Sequence, residues 1–109
     1  MQAGKLDRRI TLQRATLTTD AYNAIVETFA PLSTVWAQAV PVSDGEKMRA
    51  GEVYSNLSMR FTIRWSTVVA TLDTKDRVLF DGRLFDILGI KEIGRHEGLE
   101  ITAATRGER

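Results

Sequence analysis

The sequence of 109 residues contains 15 basic and 14 acidic side chains, one histidine and no cysteine. This length suits one domain, and we expect residues 1–109 to fold as a single unit. The balanced charge lacks the basic excess that is typical of nucleic-acid-binding proteins. The absence of cysteine excludes disulfides and thiolate metal sites, and one histidine argues against a histidine-rich site, so we expect no metal and no cofactor. A charged N-terminus and the absence of a long apolar stretch argue against an export signal and a membrane span.

In the first 41 residues, alternation of apolar and polar side chains predicts three strands. Residues 9–14 alternate clearly, and a polar connecting loop is expected over residues 16–24. Residues 25–29 predict a short strand that Pro31 interrupts. A further strand is expected over residues 34–40, and the proline that follows it ends the ladder because proline has no backbone N–H.

The alternation stops over residues 42–55, which are rich in charge. Ser43 and Glu46 have the spacing of a helix capping box, and one or two helical turns could follow them. A stretch of this length without clear regular structure is uncommon in a compact domain and is often functional. We therefore expect a long inter-strand loop here, with room for a short helix.

Residues 57–65 form the clearest alternating segment of the chain. Five apolar side chains, from Leu57 to Trp65, share one face of the predicted strand. Arg60 and Arg64 lie on the opposite face, toward solvent or a partner. This basic row is a candidate subunit-contact face.

The C-terminal third predicts a hairpin and a last strand. Asp81-Gly82 separates two β-rich runs and favours a two-residue type I′ turn, which requires positive φ at both positions. Gly89 in the returning strand suggests a bulge. A loop over residues 94–98 and a strand over residues 99–103 follow, and the end of the chain from Thr105 is expected to fray. Together the elements predict an all-β fold, a small β-barrel-like or sandwich domain.

No residue pattern indicates catalysis. Asp81 is expected in a turn, and three other carboxylates (Asp86, Glu92 and Glu97) are expected on solvent-facing positions. His96 is expected to be a surface histidine, because no serine or cysteine motif accompanies it. Trp65 is expected to pack in the core or between subunits, whereas the alternation leaves the burial of Trp36 open.

Five stretches, in the same order, resemble the phage head–tail joining family, also called head closure proteins. They run from about residue 3 to residue 104: AGKLDRRITLQR at 3–14, VWAQAVP at 35–41 with Glu46 after it, RFTIRW at 60–65, DRVLFDGRLFDI at 76–87 and LEIT at 99–102. Asn23 stands where the family often has glycine, and asparagine also tolerates left-handed geometry.

The resemblance implies a structural virion protein that catalyses nothing. Relatives of this kind form a homo-oligomeric ring under the portal, close the DNA-filled head and give the tail a docking surface. The expected partners are portal or adaptor proteins, tail proteins and packaged DNA that is contacted without sequence specificity. We expect assembly in the cytoplasm of the bacterial host and a final location at the head–tail interface of the virion, with a subunit that is monomeric when isolated.

The resemblance also implies that the loop over residues 42–55 projects into the channel of the ring. Its copies would then meet around the axis. The candidate channel or ring-interface residues are Asp44, Glu46, Lys47, Met48, Arg49 and Glu52. Charged pairs between copies and an adaptable contact from Met48 would make the loops a cooperative gate.

Two other functions remain open. A tail-completion or tail-terminator protein also works in rings and can share a small β fold. A small nucleic-acid-binding β-barrel is disfavoured by the neutral charge balance and by the lack of an aromatic and basic strand face.

Overall fold

The computed structural model describes residues 6–42 and 57–105. These residues form six strands and a short 3-10 helix: β1 (Arg8–Thr19), β2 (Ile25–Pro41), β3 (Ser58–Arg64), the helix (Val69–Thr71), β4 (Arg77–Phe80), β5 (Arg83–Ile93) and β6 (Gly98–Thr105). All neighbouring strands are antiparallel, in the order β1-β2-β3-β6-β5-β4. Pairing of β4 with Thr11–Gln13 of β1 closes the sheet into a barrel. The predicted all-β, barrel-like fold is confirmed.

The core of the barrel follows from the alternation of β3 and β6. Met59, Phe61 and Ile63 are buried. The residues opposite them in β6, which are also buried, are Ala103, Ile101 and Leu99. The Phe61 ring contacts the rings of Phe80 and Phe85 edge-on, with centroid distances of 5.3 and 5.6 Å. Edge-to-face aromatic pairs add stabilisation beyond the area that they bury. The face of β3 predicted to be apolar therefore forms the centre of the core.

The β4–β5 hairpin has the predicted turn. The φ angles of Asp81 and Gly82 are 55° and 77°, as a type I′ turn requires. In the pairing of β5 with β6, the register passes from Ile87 to Gly89 and skips Leu88. This irregularity is the bulge that Gly89 predicted.

The prediction of a connecting loop over residues 16–24 is wrong for residues 16–19. β1 continues to Thr19, and the turn occupies only the residues between Thr19 and Ile25. Threonine-rich segments have high β propensity because branched side chains suit a pleated strand, and the polarity of this segment concealed that preference. Asn23 in the turn has a φ of 64°, the left-handed geometry expected at this position.

The interruption predicted at Pro31 is also wrong. β2 passes through Pro31 without a break and is a single strand of 17 residues. In its pairing with β1, Leu12 opposes Ser33 and Gln13 opposes Pro31, so Leu32 forms a bulge beside the proline. β3 pairs with β2 only from Ala37 onward, so the edge of β2 that faces β3 has no described neighbour at residue 31. The N–H that proline lacks is therefore not required for a hydrogen bond on that edge. β2 ends at Pro41, one residue beyond the predicted end at residue 40, and Pro41 is still paired with Met59.

Replacement of Phe61 by Ala should lower the free energy of unfolding by about 3–5 kcal/mol, because Phe61 is fully buried and the barrel closes around it. Urea unfolding monitored by circular dichroism measures this loss. Leu84→Ala is the control, since Leu84 is 42% exposed on the outside of the barrel. Equal losses in the two variants would show that the core is not centred on Phe61.

Candidate assembly surfaces

Beyond the barrel, β1 and β2 continue as a two-stranded hairpin. Every residue from Thr16 to Thr28 is exposed, and we call this segment the arm. Its strands pair with each other and with no other described strand. At the tip, Oδ1 of Asp20 accepts hydrogen bonds from the backbone N–H groups of Tyr22 and Ala24, at 2.8 and 3.0 Å. These two bonds form an Asx-type turn that joins the strands.

One face of the arm is apolar and carries one acid. Leu17 lies opposite Glu27, and Thr19 lies opposite Ile25, so the four side chains share a face. Leu17 and Ile25 are 68% and 75% exposed. The other face carries Thr16, Thr18, Val26 and Thr28. Exposed large apolar residues grouped on one side of a projection are typical of an interaction surface.

The base of the arm is held by a buried carboxylate. Asp76 is 2% exposed, and its Oδ1 accepts a hydrogen bond of 3.0 Å from the backbone N–H of Ala15. Its Oδ2 accepts one of 2.9 Å from the N–H of Asp73 and lies 3.4 Å from Nε of Arg14. Arg14 also donates to the carbonyl oxygen and hydroxyl of Thr71. These contacts join the start of the arm to the segment between β3 and β4.

A second contact supports the other strand of the arm at its base. Nε of Arg77 donates a hydrogen bond of 2.7 Å to Oε1 of Gln13. The guanidinium of Arg77 also lies 3.7 Å from the centre of the Phe29 ring. A cation over an aromatic ring is attracted to its negative face. Both strands of the arm are therefore tied to the barrel before they leave it.

An open groove of about 870 Å³ lies elsewhere on the barrel, where β3 diverges from β2. We call it the tryptophan groove. It is lined by Leu6, Asp7, Val35, Trp36, Arg64, Trp65 and Ser66. Trp36 is 50% exposed, which answers the question that the sequence left open.

Both tryptophan rings of the groove are in contact with nitrogen-bearing side chains. The guanidinium of Arg9 lies 4.6 Å from the centre of the Trp36 ring. The imidazole of His96 stacks on Trp65, with a centroid distance of 4.0 Å and an interplanar angle of 11°. Trp65 also packs against the core, as predicted. These contacts hold the aromatic walls of the groove in fixed orientations.

The predicted strand face is present on the outside of β3, but its two arginines differ. Arg60 is half-buried, and its Nε lies 4.0 Å from Oε2 of Glu100 on the neighbouring strand. Arg64 is exposed and lines the tryptophan groove. Glu100 also lies opposite Lys91 of β5 in the strand register, so basic and acidic residues alternate across this surface. The role of Arg60 and Arg64 in subunit contact stays a prediction.

The six candidate channel residues lie outside the described residues. They are Asp44, Glu46, Lys47, Met48, Arg49 and Glu52. The structure does describe both ends of the segment that contains them. Pro41 is paired with Met59, and the N–H of Val42 donates a 3.0 Å hydrogen bond to the carbonyl of Ser58. The segment therefore leaves and re-enters the barrel at adjacent positions.

The polar residues considered for catalysis have structural roles where the structure shows contacts. Asp81 occupies the β4–β5 turn, and Oε2 of Glu92 accepts a hydrogen bond of 2.8 Å from the backbone N–H of His96. His96 is an exposed loop residue, as predicted. Within residues 6–42 and 57–105, no cluster of three or more potential metal ligands is found. In the same ranges, no helix is long and apolar enough to cross a membrane.

Comparison with known families identifies the chain. The model of a family described as phage head completion protein matches residues 1–106. The chain belongs to the phage head completion family. Members of this family are structural proteins of the virion, so this head completion protein is a phage virion component that associates with other structural proteins of the particle.

Two solved structures resemble the head completion protein over nearly its full length. The solution structure of protein SF1141 from Shigella flexneri 2a is 26% identical, with all of both chains covered and a TM-score of 0.76. A chain from the virion of a native gene transfer agent particle is 27% identical, with 92% of this chain and 94% of that chain covered and a TM-score of 0.65. No curated protein sequence matches the chain.

Sequence reasoning missed the arm and the contacts of Asp76 that hold its base. The alternation of Ala15, Leu17 and Thr19 was a signal for the longer strand, but no single-strand pattern shows that a hairpin projects beyond its neighbours. Asp76 begins the family-like stretch at 76–87, but its sequence context assigns it no role. The hydrogen bond that Asp76 accepts from Ala15 joins residues 61 positions apart in the chain, which no local pattern indicates.

Replacement of Asp76 by Ala should lower the free energy of unfolding by about 2–3 kcal/mol, because it leaves the N–H groups of Ala15 and Asp73 without their acceptor. Thermal unfolding measures the loss, and amide hydrogen exchange should show faster exchange at Ala15. Glu27→Gln, an exposed carboxylate on the arm, is the control and should change stability by less than about 0.5 kcal/mol. Unchanged exchange at Ala15 in the Asp76 variant would show that Asp76 does not hold the base of the arm.

Proposed function

We propose that the protein is a subunit of the connector ring that closes the DNA-filled head and offers the tail its docking surface. The observation that carries this proposal is the family match over nearly the whole chain, combined with two dissimilar exposed surfaces on one small barrel. A ring of identical subunits with head-to-tail contacts needs two different, complementary surfaces on each subunit. The arm and the tryptophan groove fit that requirement.

The sheet of this barrel is suited to a permanent structural role. Closure through β1 and β4 leaves no free sheet edge within the barrel itself, and edges are where uncontrolled strand pairing begins. Free edges remain on the arm, beyond the barrel. Contact with neighbouring subunits would cover them in an assembled ring.

Within this proposal, the loop over residues 42–55 reaches into the channel. The paired ends of the segment at Pro41 and Met59 support the idea, because they allow it to leave the barrel at one point. Each loop is repeated by the ring symmetry, so modest contacts between charged residues of neighbouring copies add up around the axis. Packaged DNA would meet a ring of loops without being read by sequence.

The head side of the interface is favoured over the tail side by the description of the family. A nucleic-acid-binding barrel is disfavoured by the alternating charges of Arg60, Glu100 and Lys91 on the outer surface of the described strands. Assembly in the cytoplasm of the bacterial host stays a prediction.

Deletion of residues 44–54 should spare the fold and release DNA from filled heads. The deletion leaves Ser43, Ser55 and Asn56 to connect Val42 with Leu57, and three-residue connections suit antiparallel strands. Purified subunit is added to portal-bearing, DNA-filled heads, rings at the portal are imaged by electron microscopy, and retained DNA is assayed in parallel. The expected result is a ring at the portal with full retention for the wild type and a ring without retention for the deletion.

Circular dichroism of the deletion variant confirms its fold before use. If it does not fold, the triple variant Glu46→Gln, Lys47→Gln, Glu52→Gln tests three of the five candidate charges without shortening the chain. Heads that stay filled with the variant would refute the gate but not the ring. Wild-type subunit that binds isolated tail tubes and not heads would move the protein to the tail side, and binding to neither would refute the connector function.

A further inference from the structure

We propose that the arm of one subunit docks in the tryptophan groove of the neighbouring subunit. The docking face is the one that carries Leu17, Ile25 and Glu27. This inference rests on the proposed connector ring and names the contact that builds it. A second copy of this chain is therefore the occupant of the groove.

The arm cannot reach its own groove. The groove lies beside Trp36, and the tip of the arm begins at Ile25 of the same strand. The eleven steps of extended β2 between these residues span about 35 Å at the usual rise of a strand. The contacts of Asp76 and Arg77 also fix the base of the arm. Both surfaces therefore need a partner, and a neighbouring copy supplies each surface with the other.

The two surfaces match in apolar character and shape. The arm is a narrow, two-stranded projection whose docking face shows two aliphatic side chains, and Tyr22 at its tip is 89% exposed. The groove is an open concavity with the aromatic side chains Trp36 and Trp65 in its wall. Aromatic residues in a concave site are common anchors of protein interfaces.

The charges of the two surfaces are complementary. No lysine or arginine occurs between Ala15 and Ala30, whereas this segment contains Asp20 and Glu27. In the groove, Arg64 is part of the lining and Arg9 lies over Trp36. The one acidic residue of the lining is Asp7, so the groove has a net positive charge. Complementary charges select the partner and its orientation more than they add affinity.

When one surface of a subunit binds a different surface of an identical subunit, each bound subunit still has a free surface for the next copy, so the contact repeats from subunit to subunit. Such a contact closes into a ring if its rotation allows closure and otherwise gives an open filament. A two-stranded hairpin alone is only marginally stable in water, so the arm gains order when it docks. A portal that binds the barrels at fixed spacing would supply the closing rotation.

Engineered cysteines test the contact directly, because the natural chain has none. The double variant Asp7→Cys, Ile25→Cys places one thiol in the groove and one on the docking face. Treatment with a short bis-maleimide, with the subunit bound to portal-bearing heads, should give a ladder of covalent oligomers that ends at the ring. The matched control is Asp7→Cys, Thr18→Cys, in which the second thiol lies on the opposite face of the arm and crosslinks should be several-fold fewer.

Charge exchange tests the same contact without crosslinking. Glu27→Arg alone and Arg64→Glu alone should each reduce the fraction of heads that carry a ring by about tenfold, because each places like charges together. The double variant should recover most of that loss. Circular dichroism of all three confirms that these exposed substitutions leave the fold intact.

The outcomes separate this inference from the proposed function. Wild-type rings on heads, with no preferred crosslink at residue 25 or no recovery in the double variant, would refute the docking and keep the connector. Crosslinks from residue 7 to a cysteine of the portal would also refute it, because another protein would then fill the groove. Wild-type subunit that does not bind heads would refute the connector itself.

Discussion

The unequal lengths of the strands determine the rest of this structure. β1 and β2 contain 12 and 17 residues, whereas β4 has 4 and β3 has 7. β4 can therefore pair with only three residues of β1, and β3 with only the last five of β2. The outer ends of the two long strands, Thr16–Thr19 and Ile25–Thr28, pair only with each other, so they leave the barrel as a hairpin. Its outward backbone groups and exposed side chains are left for water or for another molecule.

A subunit that assembles into a ring needs a rigid body and a segment that reaches its neighbour, and the barrel and the arm supply one each. The barrel supplies rigidity, because its closed sheet surrounds a core in which the rings of Phe61 and Phe85 are fully buried and in edge-on contact. The arm supplies reach, because it extends a molecule whose longest dimension is 49 Å. The buried Asp76 joins the two parts and gives the arm a fixed direction rather than a free hinge. In a ring, a fixed direction matters because each subunit must meet its neighbour at the same angle.

The sequence predicted well wherever a local rule applies. Strict alternation located β3, and Asp81-Gly82 located the β4–β5 turn with its positive φ angles. The errors arose where tertiary context outweighs local signals. Pro31 predicts a break when the strand is considered alone, because the bulge at Leu32 and the free edge of β2 depend on the lengths of other strands. For the same reason, no pattern in the sequence showed that Trp36 and Trp65 face one groove.

The arm pairs with no other described strand in the free subunit, and in the proposed ring it acquires a partner on assembly. Hydrogen exchange of the backbone amides from Thr16 to Thr28, compared between the free subunit and the subunit bound at the portal, tests this claim most directly. We expect fast exchange in the free subunit, slow exchange in the bound one, and little change in β3 and β6, which are paired in the barrel in both states. Equal exchange of the arm in the two states would contradict the claim.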